Sequence, residues 1–160
     1  ILHHMSHTIS HTIQTQLYLG IKAPVRISGD TKGSAPCLII GPKGVLNLKE
    51  GVIRAWRHVH MFPPHARKFG VRNGDLMALR VVSKTCSVTF DDVMVRIIDM
   101  PLDARRIVAS KGIELGVEVH LDTDEGNACE LRSATRYELL KRRRDGTSES
   151  FEIVLADAPH

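Results

Sequence analysis

The chain has 160 residues, 42% of them hydrophobic and 25% charged, which suits one globular domain or two very small ones and excludes a largely disordered chain. No apolar stretch approaches the length of a membrane span, and residues 1–10 lack the basic patch and apolar run of a secretory signal. The formal charge of +4 suits an anionic partner, although much of it lies in the run Lys141-Arg142-Arg143-Arg144, which reads first as a solvated face.

The first dozen residues differ from the rest. His3-His4-Met5 looks like the scar of an expression tag, and Ser6-His7-Thr8-Ile9 is echoed by Ser10-His11-Thr12-Ile13. From Lys22 to Gly44 turn residues cluster around the short β-type runs Val25-Ile27 and Cys37-Ile40, which predicts short strands joined by tight turns. Val52 to Trp56 leads into Arg57-His58-Val59-His60-Met61, a strand running into a loop. Pro63-Pro64 and Gly70 bracket one or two helical turns. Leu76 to Val82 is an apolar strand. Val88-Phe90, a turn at Asp91-Asp92 and Val93-Ile98 continue the meander. Pro101 to Gly112 reads as a helix, Val117 to Leu121 as a strand, Asn127 to Leu140 as helical spacing, and Phe151-Leu155 as a last strand. The fold expected is mainly β, a small β-barrel with short helical caps. The expected divisions are a tag-like or disordered leader over residues 1–12, the barrel domain over 13–140, and a basic tail over 141–160.

His58 and His60 form H-x-H, so on an extended segment both rings project from one face, roughly 6–7 Å apart along the strand. That spacing lets two imidazoles close on one metal ion. His120 ends another β-like run and is the third candidate ligand. Three histidines leave positions open on zinc, which is the arrangement of a catalytic site rather than a structural one. H-x-H alone is a weak pattern, and an isolated pair is more often surface or packing. His65, after two prolines, is expected to face solvent and to stand outside the ligand set. Cys37, Cys86 and Cys129 lie far apart with no C-x-x-C, which argues against a disulfide framework and for a reducing cytoplasm. Cys129 has no basic neighbour that would activate it, so burial is its expected role.

Several ordered stretches carry a resemblance. They are Leu19-Gly20-Ile21-Lys22-Ala23-Pro24-Val25-Arg26 with Ser28-Gly29-Asp30, then Gly41-Pro42-Lys43-Gly44, then Arg57 to Met61 followed by Pro64, Phe69-Gly70-Val71 and Gly74-Asp75, and last Val119-His120-Leu121-Asp122-Thr123-Asp124-Glu125 with Asn127-Ala128. Together, over about Gln14 to Ala128, they resemble the phosphate acyltransferases of bacterial microcompartments, the phosphate propanoyltransferases. The resemblance implies exchange of coenzyme A for phosphate on a short acyl group, a pair of β-barrels with helical caps, and two zinc ions. One zinc would be held at positions matching His58, His60 and His120, the other by an earlier H-x-H and a glutamate. This chain has no counterpart of the earlier H-x-H. Thr12 and Tyr18 stand where the family has a phosphate-binding arginine and the metal-binding glutamate. About one zinc per chain, a second-barrel-like domain with a remnant of the first, and impaired turnover are the expectations.

The mechanism so implied is acyl transfer with metal help, with Arg57 as the candidate cation for developing negative charge, although strict alternation turns it away from both histidines. Asp122, Asp124 and Glu125 would orient His120, or one of them would cap the helix that follows. The partners implied are coenzyme A and phosphate or acyl phosphate, a second copy of the chain, and a microcompartment interior within the cytoplasm. The alternative is a non-catalytic, zinc-stabilised barrel acting as an assembly module. Scarce aromatics and the lack of a recognition motif weigh against nucleic acid.

Overall fold

A computed structural model describes residues 9–10, 13–99 and 116–153. The expected helix from Pro101 to Gly112 lies outside them. The described residues form two compact units, the first comprising the chain up to Trp56 together with Asp122–Asp124, the second comprising Arg57–Leu121 and the residues from Glu125 onward.

The first unit is a four-stranded sheet built on a hairpin, β3 (Ala35–Gly41) and β4 (Gly44–Ala55). Pro42 and Lys43 make its two-residue turn, and Gly44 adopts the positive φ of 142° that this reversal requires. Pro36 has no N–H to offer the ladder, and the β3–β4 register shifts between Ala35 and Cys37. β1 (Ile9–Ser10) and β2 (Val25–Arg26) each pair parallel with β4, and α1 (Ile13–Leu19) lies between them in sequence. Among the described residues of this unit Ala35, Val52 and Ile53 are the buried hydrophobics, whereas Leu17, Tyr18, Leu38, Ile40 and Val45 are exposed.

The second unit is a six-stranded sheet in the order β10-β9-β6-β7-β5-β8, formed by β5 (His58–Met61), β6 (Leu76–Val82), β7 (Val88–Ile97), β8 (Glu118–His120), β9 (Arg136–Arg142) and β10 (Ser148–Ile153). α2 (Pro63–Phe69) follows β5; in sequence β8 is followed by α3 (Thr123–Ala128), whose first two residues belong to the first unit, and by a 3-10 turn (Leu131–Ser133). A cluster that includes Val59, Met61, Leu79, Val93, Val95 and Leu139 forms the core. Each such side chain stabilises the fold by about 1.5–3 kcal/mol through the apolar surface removed from water. Gly70 ends α2 in the left-handed conformation, φ 62°, with its N–H on the α2 carbonyls. Lys141 Nζ donates to the carbonyls of Phe69, 3.3 Å, and Gly70, 2.7 Å, so a cation of the basic run caps that helix end.

The protein is mainly β, as the sequence predicts, but the described strands form two open sheets rather than a closed barrel. In the larger sheet β8 and β10 stand at opposite edges and do not pair with each other. Two local expectations also change. Asp91-Asp92 is a bulge, not a turn. β7 runs unbroken through it, Asp92 takes the extra residue at φ 58°, and the pairing steps from Met77↔Val93 to Leu79↔Phe90. The helical spacing read from Asn127 to Leu140 gives way to a short helix, a 3-10 turn and then β9. Alternation buries Leu139, and pairing on both sides with β6 and β10 overrides the helical signal.

Candidate metal centre

β5 lies between two neighbours, parallel to β7 and antiparallel to β8. Its sequence alternates as a half-buried strand must. Val59 and Met61 are fully buried in the core, so His58 and His60 share the opposite face. Register then brings in the third histidine. His58 stands directly opposite His120 on β8, Val59 opposite Val119, and His60 opposite Glu118. The rings of His58 and His120 stack with centroids 4.7 Å apart and an interplanar angle of 2°. His60 lies tilted against both, 4.8 Å from His58 and 4.6 Å from His120. One nitrogen from each ring falls within 4.8 Å of the other two, a cluster that can hold a metal ion.

The donor chemistry fits a cation. His58 is buried, and His120 Nε2 is buried without a hydrogen bond, which leaves that nitrogen available to a cation. Burial above all, and then the neighbouring His120, His58 and Arg96, hold His60 below the usual imidazole pKa, while Glu118 acts in the other direction. His60 is thereby biased to the neutral form that ligates metal. Glu118 reaches over this face, with Oε1 3.3 Å from His120 Nε2 and Oε2 3.9 Å from His60 Nδ1.

Arg57 is engaged elsewhere. Its guanidinium pairs with Glu125 Oε1 at 2.8 Å, donates to the carbonyl of Asp91 at 2.9 Å, and lies 5.5 Å from the centre of the Phe90 ring. Sequence reasoning missed Glu118 and Arg96. Arg96 is the β7 partner of His60, so one row across the sheet reads Arg96, His60, Glu118. Arg96 is half-buried and makes no ion pair or side-chain hydrogen bond among the described residues. The signal lay in pairing register, which one strand's sequence does not reveal. Of the acidic residues expected around His120, Glu125 meets Arg57, and Asp122 immediately precedes α3. His65 is half-buried rather than exposed. Its Nδ1 is buried without a hydrogen bond, and its ring lies 6.3 Å from Phe69. Cys129 is fully buried as expected, and burial raises its thiol pKa.

A family model described as phosphate propanoyltransferase matches residues 7–132, the span that contains all three histidines. The chain belongs to the phosphate propanoyltransferase family. It is 48% identical over 123 residues to a phosphate propanoyltransferase of Planctopirus limnophila, covering 77% of this chain and 45% of that protein. Proteins of the same name from Lachnoclostridium phytofermentans and Thermotoga maritima are 39% and 38% identical, covering 71% and 72% of this chain and 46% and 48% of their own lengths. The chain thus spans about half the length of these curated relatives.

Proposed function

We propose that this chain carries the zinc-binding part of a phosphate acyltransferase, with coenzyme A and phosphate, or acyl phosphate, as its substrates. The observation that carries this reading is the convergence of His58, His60 and His120 on one face of β5 and β8 within a family match. Zinc, when bound, would polarise an acyl carbonyl or a phosphate oxygen. The chain's own residues supply the rest. His58 and His60 on the central strand β5 and His120 on β8 would hold the ion. Arg96, beside His60 and without a carboxylate partner among the described residues, is the cation that an anionic phosphate would meet. Arg57 acts at one remove by anchoring the start of β5 to Glu125 and to β7.

The relatives are about twice as long, and the described first unit exposes Leu17, Tyr18, Leu38, Ile40 and Val45. Efficient turnover on this reading needs further protein surface beside the histidines, and a second copy of the chain is one source of it. Cytoplasmic location and packaging as microcompartment cargo belong to the same proposal. Among the described residues no helix is long and apolar enough to cross a membrane.

Metal analysis of the purified chain, paired with thiol release from propanoyl-CoA plus phosphate, tests the reading. About one zinc per chain is expected, lost in His58→Ala and in His120→Ala and retained in His65→Ala. Retention of zinc by His58→Ala and His120→Ala, with loss in His65→Ala, would refute the ligand set.

A further inference from the structure

His58, His60, His120 and Glu118 occupy the four corners of two cross-strand pairs, all on one face of β5 and β8. Residues i and i+2 share a face on each strand, so register sets the Glu118 carboxylate beside the imidazoles of His60 and His120. Three histidines alone leave an open coordination position, whereas a fourth protein ligand closes the site. Ligands 2.0–2.1 Å from a tetrahedral ion lie about 3.3 Å from one another. Glu118 Oε1 stands 3.3 Å from His120 Nε2, and that nitrogen makes no hydrogen bond in the structure. The Glu118 side chain is 64% exposed, so packing does not lock it in place.

We propose that Glu118 is a fourth, displaceable ligand of the metal, holding the position that an anionic substrate must take. This rests on the metal-site reading above. A carboxylate and a phosphate are both anionic oxygen donors that compete for one position on the cation, so the resting site would be closed by Glu118 and opened by the substrate's own charge. Arg96, on the far side of His60 in the same row, is placed to favour the incoming anion over the departing carboxylate.

The test uses the full chain loaded with Zn²⁺ or Co²⁺, alongside Glu118→Gln, Glu118→Ala and His58→Ala. Metal affinity is measured against a chelator dye. Glu118→Gln and Glu118→Ala are expected to weaken it at least tenfold, about the least that loss of even an outer partner costs such a site. Inorganic phosphate should bind the loaded Glu118→Gln protein more tightly than wild type. The gain would be about tenfold if Glu118 holds the position nine-tenths of the time. A charge effect without coordination is separated by infrared difference spectra. The carboxylate band missing from Glu118→Gln should shift on metal loading of wild type and shift back when phosphate is added. An unmoved band, or wild-type affinities for metal and phosphate in Glu118→Gln, overturns the role of Glu118 and leaves the histidine site standing. Failure of wild type to bind metal more tightly than His58→Ala overturns both.

Discussion

Replacing Arg57 with alanine distinguishes an anchoring side chain from one that meets substrate. The guanidinium makes a 2.8 Å ion pair to Glu125, a 2.9 Å hydrogen bond to the Asp91 carbonyl and a contact 5.5 Å above the Phe90 ring. The two charged side chains are 28% and 18% exposed, between the surface pair worth about 0–1 kcal/mol and the buried pair whose disruption costs about 3–5 kcal/mol. A loss of about 2–3 kcal/mol is therefore expected for Arg57→Ala. Glu125→Gln, which can still accept a hydrogen bond, should lose about 1 kcal/mol. The double variant should cost less than the sum of the two, because they share one interaction. Urea unfolding with a slope of about 2 kcal/mol per M would place the Arg57→Ala midpoint about 1–1.5 M below wild type. Thiol release, normalised to folded protein, should fall only modestly. An unchanged urea midpoint with abolished turnover would refute the anchoring argument and put Arg57 in contact with the reacting groups.

Two further outcomes follow from local geometry. Gly70→Ala should destabilise by about 1–2 kcal/mol from the left-handed backbone alone, and its new Cβ would meet Lys141 Nζ at 2.8 Å and displace that cap. Urea midpoints should therefore show Gly70→Ala to be more damaging than Lys141→Met, which removes only the cap; the reverse order would refute this. His60 has its folded pKa held below the ordinary 6.5, so the stability tied to its neutral form is complete above that value and is lost as pH falls through the folded pKa. The urea midpoint of metal-free protein should be flat above about pH 7 and decline below about pH 6.5, less steeply in His60→Gln. An equal decline in the variant would remove His60 as the cause.

The sequence carried the parts of this structure that depend on alternation and on punctuation. His58 and His60 flank Val59, so a strand that buries valine must present both rings together, and the structure does so. Proline at the start and glycine at the end set α2. What stayed hidden depends on pairing between distant segments. Glu118 and Arg96 stand beside the histidines because β8 and β7 flank β5 in a particular register, and no spacing within one segment encodes that. Arg57 adjoins His58 in sequence, yet adjacency on a strand means opposite faces, and its guanidinium contacts Glu125, Asp91 and Phe90. Strand count and turn spacing suggest a barrel, but they say nothing about whether the two edge strands meet.

The division of ligands between the two strands has a mechanical consequence. β5 is held on both sides, so His58 and His60 sit on backbone that has little freedom to move. β8 is three residues long and stands at the edge, so His120 and Glu118 ride on the element least restrained by the sheet. Without an ion, β8 is held by its ladder to β5 and by the packing of Val117 and Val119, while its other face carries His120 Nε2, buried without a hydrogen bond. On the proposed reading, an ion bound by all three histidines would tie two donors on the central strand to one on the edge strand, and at a thousandfold excess over its dissociation constant it would stabilise the joined state by about 4 kcal/mol. The metal would then reinforce a β5–β8 pairing that already exists without it. A site assembled this way can loosen at its edge to exchange a ligand, while the central strand keeps the remaining donors in register.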